Sequence, residues 1–244
     1  AADVLNPDGR LIQQPSTHLI SQEFSKAFDV KFKDKDEKEK YAFMTCYGPA
    51  ISRIFASVVI VHGDDKGLKF PWDIAPVQIV IVPIKNEPKL IKKAESIKKA
   101  VESIASVEID SSEKSAGEKF NHWEMKGVPI RIDLGPKDME NKQLTVFRRD
   151  IDKKELIKES ELIDYIKRVS KESTKNLLKK ADALFSGKIK NAKNVAEIKK
   201  IVEEGRIARC NFCSTQKDGI KCAQAVKENS DAEVRGIKFE KEKA

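Results

Sequence analysis

The chain has 244 residues, of which 40% are hydrophobic, enough to bury one to three cores. Lysine and arginine outnumber aspartate and glutamate by 47 to 39, and the net charge of +8 favours a polyanionic partner such as nucleic acid. The N-terminus has no signal-peptide pattern, and the apolar runs Ile54–Val61 and Val77–Ile84 are too short to span a bilayer. The four cysteines form no obvious disulfide framework. We therefore expect a cytoplasmic protein with no membrane partner.

The first 70 residues indicate the tail of an α/β domain. The apolar run Ala42–Gly48 predicts a strand that ends at a glycine. Apolar residues at helical spacing then predict a buried helix: Ile51, Ile54, Phe55, Val58 and Val59. The charged stretch Lys33–Lys40 predicts a solvated turn. Glycines and prolines in Gly63–Pro76 predict a domain boundary near Phe70.

The next hundred residues alternate between strand and helix patterns. The continuous apolar run Val77–Ile84 predicts a strand covered on both faces. Apolar residues three and four apart then predict an amphipathic helix: Leu90, Ala94, Ile97, Val101 and Ile104. Further strands are predicted at 107–110, 129–134 and 143–150, a short helix at 120–127, and a long helix at 159–186. This order predicts a domain with a mixed sheet.

The last segment indicates a small α+β unit. Apolar residues predict a helix that ends at Gly205: Val195, Ile198, Ile201 and Val202. A second helix is predicted at 223–229 and a short strand at Val234–Phe239.

Three stretches in one order carry a family resemblance: Asn6–Phe32, Thr45–Arg53 and Gly127–Asp150. The first contains a Thr-His turn, then a glutamine and an F-x-x-A-F pattern; the second is a strand ending at glycine before a helix that opens with an arginine. The third contains GVPIRIDLGPKD and a trailing RRD. Together they resemble the prolyl-tRNA synthetases of the archaeal and eukaryotic-like type, and the second stretch is similar to motif 3 of class II synthetases.

The resemblance implies three domains: the end of a class II antiparallel-sheet catalytic domain at 1–70, a mixed-sheet α/β anticodon-binding domain at 71–186, and a small α+β domain at 187–244. It implies ATP-dependent attachment of proline to tRNA(Pro) through prolyl-adenylate, with ATP and Mg²⁺ as cofactors and a homodimer as the full-length enzyme. Motifs 1 and 2 of class II synthetases would precede Ala1. We therefore expect this chain to be part of a longer synthetase and inactive by itself.

In this chemistry the proline carboxylate attacks the ATP α-phosphate, and the enzyme contributes positioning and charge neutralisation rather than a nucleophile. Arg53, at a predicted helix start, matches the family's catalytic, phosphate-binding arginine. The resemblance places Thr17 and Gln22 with Arg53 at the ATP. It assigns three residues to the proline pocket: His18, Cys46 and Gly48. By residue type alone, a histidine such as His18 is more often a turn histidine than a ligand, and a cysteine such as Cys46 is more often simply buried.

Proline codons begin with CC, so a proline anticodon carries two successive guanines. Guanine offers N–H donors that suit a carboxylate, and O6 and N7 acceptors that suit arginine or lysine. The resemblance assigns five residues to the anticodon site, with the first as a stacking aromatic: Phe120, Glu124, Arg131, Lys137 and Asp138. Without the resemblance, the favoured interpretation of Glu124–Arg131 and Lys137–Asp138 is two ordinary surface ion pairs.

Three cysteines near the C-terminus have spacing that suits tetrahedral zinc: Cys210, Cys213 and Cys222. A closed zinc site usually needs a fourth ligand, and no histidine follows His122. Members of the resembled family often carry zinc here, so Zn²⁺ is a candidate cofactor. The alternative is three reduced thiols at a remnant of such a site.

Two other functions compete with a prolyl-tRNA synthetase. One is a non-catalytic tRNA-binding protein derived from a synthetase, for which Arg53 would have no use. The other is a class II synthetase of the threonyl or histidyl type, against which the GVPIRIDLGPKD stretch argues. DNA is not an expected partner, because the sequence has no helix-turn-helix or basic region.

Overall fold

The structure is a computed structural model that describes residues 2–214 and 217–236. The chain divides into two compact units: the first contains Ile12–Ala181, and the second contains Leu5–Leu11 together with the chain from Asp182 onward. The boundary predicted near Phe70 lies inside the first unit and stays a prediction. Among the described residues, no helix has the length and apolar character needed to cross a membrane.

Short strands and two helices make up the N-terminal segment: β1 (Asp3–Leu5), β2 (Leu11–Gln13), β3 (Ser16–Ser21), α1 (Glu23–Ala27), β4 (Lys31–Lys33), β5 (Glu39–Tyr41), β6 (Met44–Gly48) and α2 (Ile51–His62). β1 pairs with β2, β3 runs antiparallel to β6, and β4 forms an antiparallel hairpin with β5. The predicted strand at Ala42–Gly48 is confirmed as β6. The charged stretch Lys33–Lys40 is confirmed as a turn, because it connects the two strands of the hairpin.

α2 confirms the helix predicted after β6, but the prediction that its apolar face is buried is wrong for the described chain. Ile51, Ile54 and Phe55 are exposed, and Ser57 is the only buried residue of the helix. Large apolar side chains are also exposed nearby, at Leu19, Phe43 and Tyr47. β3 and β6 form only a two-stranded sheet, which is too small to cover a helix face. Helical spacing shows which residues share a face, but not what covers it.

A five-stranded mixed sheet forms the centre of the first unit: β7 (Ile79–Pro83), β8 (Val107–Ile109), β9 (Ile130–Leu134), β10 (Gln143–Arg148) and β11 (Lys153–Lys158). The spatial order is β11-β10-β9-β7-β8, with β7 parallel to β8 and β9, and β10 antiparallel to both of its neighbours. The predicted mixed-sheet α/β domain is therefore confirmed. β11 was not among the predicted strands.

Helices cover both faces of this sheet: α3 (Pro88–Val101), α4 (Ala116–Met125), the short α5 (Pro136–Glu140) and α6 (Leu162–Lys188). One core contains the buried faces of α3 and α6 with Ile130, Ile132 and Leu134 of β9. A smaller core lies on the α4 side and contains Val80, Val82 and Trp123. Since β7 contributes to both cores, its sequence is continuously apolar.

The predicted helix boundaries are close to the observed ones, with one difference. The short helix predicted at 120–127 begins earlier, at Ala116, because Ser115 and Glu118 form a capping box. The Ser115 side chain accepts a hydrogen bond from the Glu118 N–H, and the Glu118 carboxylate accepts one from the Ser115 N–H. The predicted helices at 90–104 and 159–186 are confirmed as α3 and α6.

The second unit contains β12 (Ile189–Asn191), α7 (Val195–Glu203), β13 (Ile207–Arg209) and α8 (Ile220–Ser230), with β12 parallel to β13. Asn194 caps the start of α7, and Gly205 follows its end at φ +66°, a conformation that favours glycine. Both predicted helices are thus confirmed. Of the strand predicted at Val234–Phe239, residues 237–239 lie outside the described residues, and 234–236 form no strand.

Candidate functional site

The antiparallel pair β3–β6 brings the residues assigned to the proline pocket onto two adjacent strands. His18 lies opposite Cys46, and Gly48 lies opposite Ser16. The Ser16 hydroxyl and the His18 imidazole are joined by a 2.8 Å hydrogen bond, which orients the ring. Cys46 is an exposed free thiol, so the alternative of a buried thiol does not apply in the described chain.

Arg53 lies in the first turn of α2, five residues after Gly48, the last residue of β6. Ala50 precedes the helix in a left-handed conformation and offers no side-chain cap, so the first N–H groups of α2 have no capping side chain. The Arg53 side chain is exposed and forms no ion pair with any residue that the structure describes. A free guanidinium beside uncapped N–H groups is an arrangement that suits a phosphate.

The two residues assigned to ATP alongside Arg53 lie on or after β3. Thr17 is on the strand, opposite Tyr47. Gln22 follows the strand, and its side-chain amide donates a 3.0 Å hydrogen bond to the Tyr41 carbonyl oxygen. The fold thus places Thr17 on the same small sheet as the residues assigned to proline and Gln22 directly after its strand β3, while their individual roles stay predictions.

A second cluster lies between α4 and the large sheet, with Arg131 at its centre. The guanidinium carbon lies 3.9 Å from the ring centroid of Phe120 on α4 and 4.5 Å from that of Phe147 on β10. Both rings therefore make cation–π contacts with one arginine. Because Arg131 lies opposite Phe147 in the β9–β10 register, the pairing of these two strands fixes the contact between Arg131 and Phe147.

Two carboxylates hold the Arg131 guanidinium in place. Nε donates to Asp133 Oδ1 and Nη1 donates to Glu124 Oε1, each at 2.7 Å. The Arg131 side chain is only 3% exposed, so the Glu124–Arg131 pair is not the surface ion pair of the alternative interpretation. The role of Arg131 in recognising the anticodon stays a prediction.

The GPKD turn follows β9 and opens α5, where Asp138 stabilises the turn. Its Oδ2 accepts a hydrogen bond from the Gly135 N–H at 2.9 Å, and its Oδ1 accepts one from the Thr145 hydroxyl at 2.8 Å. Lys137 is exposed and pairs with no carboxylate among the described residues. The turn therefore presents a free ammonium group on a fixed backbone.

Sequence reasoning did not single out three residues of the α4-side cluster: Asp133, Phe147 and Lys154. The Lys154 ammonium lies 2.9 Å from Asp133 Oδ2 and 5.1 Å from the Phe120 ring centroid. Strand alternation in β9 could have placed Asp133 on the face of Arg131. Lys154 lies on β11, which was not predicted, so no sequence signal pointed to its contact with Asp133.

Another charged cluster joins the segment after α2 to the sheet. Arg149 donates hydrogen bonds to both carboxylate oxygens of Asp64, at 2.5 and 2.9 Å, and to Asp152 at 2.8 Å. Lys69 contacts the same two carboxylates at 2.7 and 2.6 Å. The hydrogen bonds from Arg149 hold the pKa of Asp64 well below its usual value.

The three cysteines do not form a metal-binding arrangement in the described part of the chain. No group of three or more histidine, cysteine, aspartate or glutamate residues there is placed to hold a metal ion. Cys210 and Cys213 are exposed, and Cys222 is half-buried. A hydrogen bond with Cys213 raises the pKa of the Cys222 thiol. Zinc at these residues stays a candidate cofactor.

Comparisons with known proteins agree with this geometry. Residues 78–169, which contain the five-stranded sheet and the Arg131 cluster, match the anticodon binding domain family. A proline–tRNA ligase from Thermofilum pendens is 39% identical over 98% of this chain and 50% of its own length, and one from Methanobrevibacter smithii is 36% identical over 100% of this chain and 52% of its own length.

A solved structure is similar as well. The crystal structure of prolyl-tRNA synthetase from Cryptosporidium parvum, complexed with halofuginone and AMPPNP, superposes with a TM-score of 0.83 and 30% identity over 94% of this chain and 47% of that chain. The chain thus spans about half the length of the relatives that it matches. In sequence and in fold, it matches the C-terminal half of the members of the prolyl-tRNA synthetase family.

Proposed function

We propose that the protein takes part in the ATP-dependent attachment of proline to tRNA(Pro) through prolyl-adenylate. The α4 side of the sheet would bind the anticodon, and the β3–β6 pair with the start of α2 would contribute to the proline and ATP sites. The similarity to prolyl-tRNA synthetases supports this proposal, as does the match of residues 78–169 to an anticodon binding domain. The whole enzyme would act as a cytoplasmic homodimer.

The observation that carries the proposal is the Arg131 cluster. It presents an aromatic ring, a carboxylate and an ammonium group side by side: Phe120, Glu124 and Lys154. RNA-binding proteins recognise unstacked loop bases by stacking them on aromatic rings and by hydrogen bonds to their edges. A carboxylate suits the N–H donors of guanine, and an ammonium group suits its O6 and N7.

Within this proposal Arg131 is a positioning residue. Its guanidinium is buried between two rings and bonded to two carboxylates, so it fixes the orientation of Phe120 and Glu124. Asp138 fixes the GPKD turn, and Lys137 extends from that turn as a cation for phosphate or a guanine edge. The base-contacting roles fall to Phe120, Glu124, Lys137 and Lys154.

At the other site, Arg53 would neutralise charge on the ATP phosphates during attack by the proline carboxylate. The exposed guanidinium and the uncapped helix start support this role. ATP would bring Mg²⁺ as a phosphate counter-ion, and we assign no ligand of that ion to this chain. The His18–Cys46–Gly48 side of the small sheet would hold proline.

Binding of anticodon stem-loops to this chain tests the proposal. The unmodified chain should prefer a loop with two successive guanines over loops in which either guanine is replaced. Glu124→Gln, which keeps the shape but removes the charge, should reduce that preference by roughly 1–3 kcal/mol. Glu102→Gln, at an exposed glutamate after α3 on the opposite face of the sheet, is the matched control and should change nothing. Equal binding of all loops by the unmodified chain would contradict the proposal.

A further inference from the structure

The α4 side of the sheet contains a buried carboxylate oxygen that accepts no hydrogen bond from any described residue. This atom is Oδ2 of Asp133, whose side chain is 5% exposed. The ammonium group of Lys154 lies 2.9 Å from it, but outside the angles of a hydrogen bond. Buried polar atoms are nearly always hydrogen-bonded in folded proteins, so an unsatisfied one at a candidate binding site needs an explanation.

The other oxygen of the same carboxylate is fixed. Asp133 Oδ1 accepts the hydrogen bond from Arg131 Nε, and that guanidinium is held in turn by the two aromatic rings and Glu124. The carboxylate therefore cannot rotate without breaking a buried ion pair. As a result, Oδ2 has a defined position on the α4 side of the sheet, next to Lys154 on β11.

The group that covers Oδ2 is displaceable. The Lys154 side chain is 54% exposed and belongs to β11, an edge strand of the sheet. An exposed lysine has three donors and a long flexible stem, so it can exchange this carboxylate for the O6 and N7 edge of a guanine or for an RNA phosphate at little cost. Movement of the ammonium group would uncover a charged acceptor whose geometry is already set.

We propose that Asp133 is a further specificity-determining residue, whose Oδ2 accepts a hydrogen bond from the exocyclic 2-amino group of an anticodon guanine. This inference rests on the proposed function and adds a residue to it. Guanine is the only standard RNA base with an amino group at that position. A buried carboxylate oxygen that accepts no hydrogen bond from the described residues would thus select guanine over adenine and over inosine, which has no 2-amino group.

The test combines a change in the protein with a change in the base. Asp133→Asn alters no heavy-atom count, and the hydrogen bond from Arg131 Nε keeps the amide oxygen at the Oδ1 position. The amide nitrogen then replaces Oδ2, which turns the acceptor into a donor. Binding of anticodon stem-loops is measured with guanine or inosine at each of the two guanine positions, for the unmodified chain and for the variant.

We expect the unmodified chain to bind roughly tenfold less tightly when inosine replaces guanine at one of the two positions, the effect of losing one hydrogen bond to a charged group. Asp133→Asn should bind the guanine loop roughly tenfold less tightly and should no longer distinguish it from the inosine loop. Asp150→Asn is the matched control, since this buried aspartate also bonds an arginine but has both oxygens satisfied. It should keep the unmodified guanine-to-inosine ratio.

Fluorescence of the two tryptophans, both buried in the first unit, reports whether a variant is folded. If Asp133→Asn does not fold, Asp133→Ser removes the acceptor without adding a donor at Oδ2, and the ratio should fall in the same way. A folded variant that keeps the unmodified ratio overturns the inference and leaves the proposed function standing. The inference is also overturned if the unmodified chain binds loops with inosine at either position as tightly as the guanine loop but still rejects loops with adenine. An unmodified chain with no preference among loops refutes the proposed function itself.

Discussion

Replacement of Arg149 by methionine should destabilise the first unit strongly, because this guanidinium joins the segment after α2 to the large sheet. Arg149 is 1% exposed, and it donates hydrogen bonds to Asp64, Asp152 and the Gly67 carbonyl oxygen. Methionine has a similar length and can fill the space without charge. The change thus isolates the loss of charge and hydrogen bonds from the loss of volume.

The expected cost follows from the partners that remain. Removing one member of a buried ion pair costs roughly 3–5 kcal/mol. Here Asp64 and Asp152 are each about a third exposed and both keep the ammonium of Lys69, so we expect the lower end, about 3 kcal/mol. For a chain of this size, that cost corresponds to a fall in melting temperature of roughly 6–12 °C.

Urea unfolding monitored by tryptophan fluorescence measures this cost. The chain has two tryptophans, Trp72 and Trp123, and both are buried in the first unit. The fluorescence therefore reports unfolding of the first unit and not of the second. Arg168→Met is the control, since Arg168 is 53% exposed and pairs with Glu172 on the surface of α6; it should cost less than about 1 kcal/mol. An Arg149→Met variant as stable as the Arg168→Met variant would refute the reasoning.

The dependence of stability on pH provides a second test of the same variant. The pKa of Asp64 in the folded chain lies below its usual value, so the unfolded chain binds the proton first as the pH falls. Its contribution to stability is therefore complete above the usual pKa of 3.8 and is lost as the pH falls through the lower, folded value. Since Arg149 is the main cause of the lowered pKa, the difference in unfolding free energy between the unmodified chain and Arg149→Met should narrow as the pH falls below 3.8.

Two further predictions concern activity and metal. Residues 1–244 alone should not support proline-dependent ATP–pyrophosphate exchange, because the small β3–β6 sheet leaves the assigned proline and ATP residues exposed. In a longer protein that contains this sequence, Arg53→Ala should remove most of the exchange activity. Arg10→Ala, at another exposed arginine, is the control and should retain that activity. Robust exchange by residues 1–244 would contradict the first part. Elemental analysis of protein purified without chelators should find less than one zinc per chain, because the described cysteines form no three-ligand group; one zinc per chain that is lost in Cys213→Ser would contradict this.

The anticodon-binding part was the most predictable from sequence because its elements have strong local signals. β7 is continuously apolar and is buried on both faces, and α3 has apolar residues three and four apart that all enter one core. β11 was missed because it is an edge strand, Lys153–Lys158, with three lysines and little apolar character. Such a strand is stabilised by pairing with β10, which is a non-local contact.

The contacts within the site were less predictable than its residues. The family resemblance pointed to Phe120, Glu124 and Arg131, but it did not indicate that the arginine is enclosed between two rings and bonded to two carboxylates. That arrangement depends on the register of β9 against β10 and on the packing of α4. The exposed face of α2 shows the same limit, since periodicity identifies a face without identifying its partner.

Two of the buried arginine–carboxylate clusters of the first unit, around Arg149 and around Arg131, differ in one respect that separates stability from recognition. Around Arg149, both oxygens of Asp64 and both oxygens of Asp152 accept a hydrogen bond from Arg149 or Lys69. Around Arg131, one oxygen of Asp133 is left without a hydrogen bond. A fully satisfied network stabilises the fold, whereas a pre-positioned but unsatisfied acceptor costs stability unless a ligand completes it. Arg149→Met should therefore lower the stability of the first unit, whereas Asp133→Asn should alter mainly the choice of anticodon base.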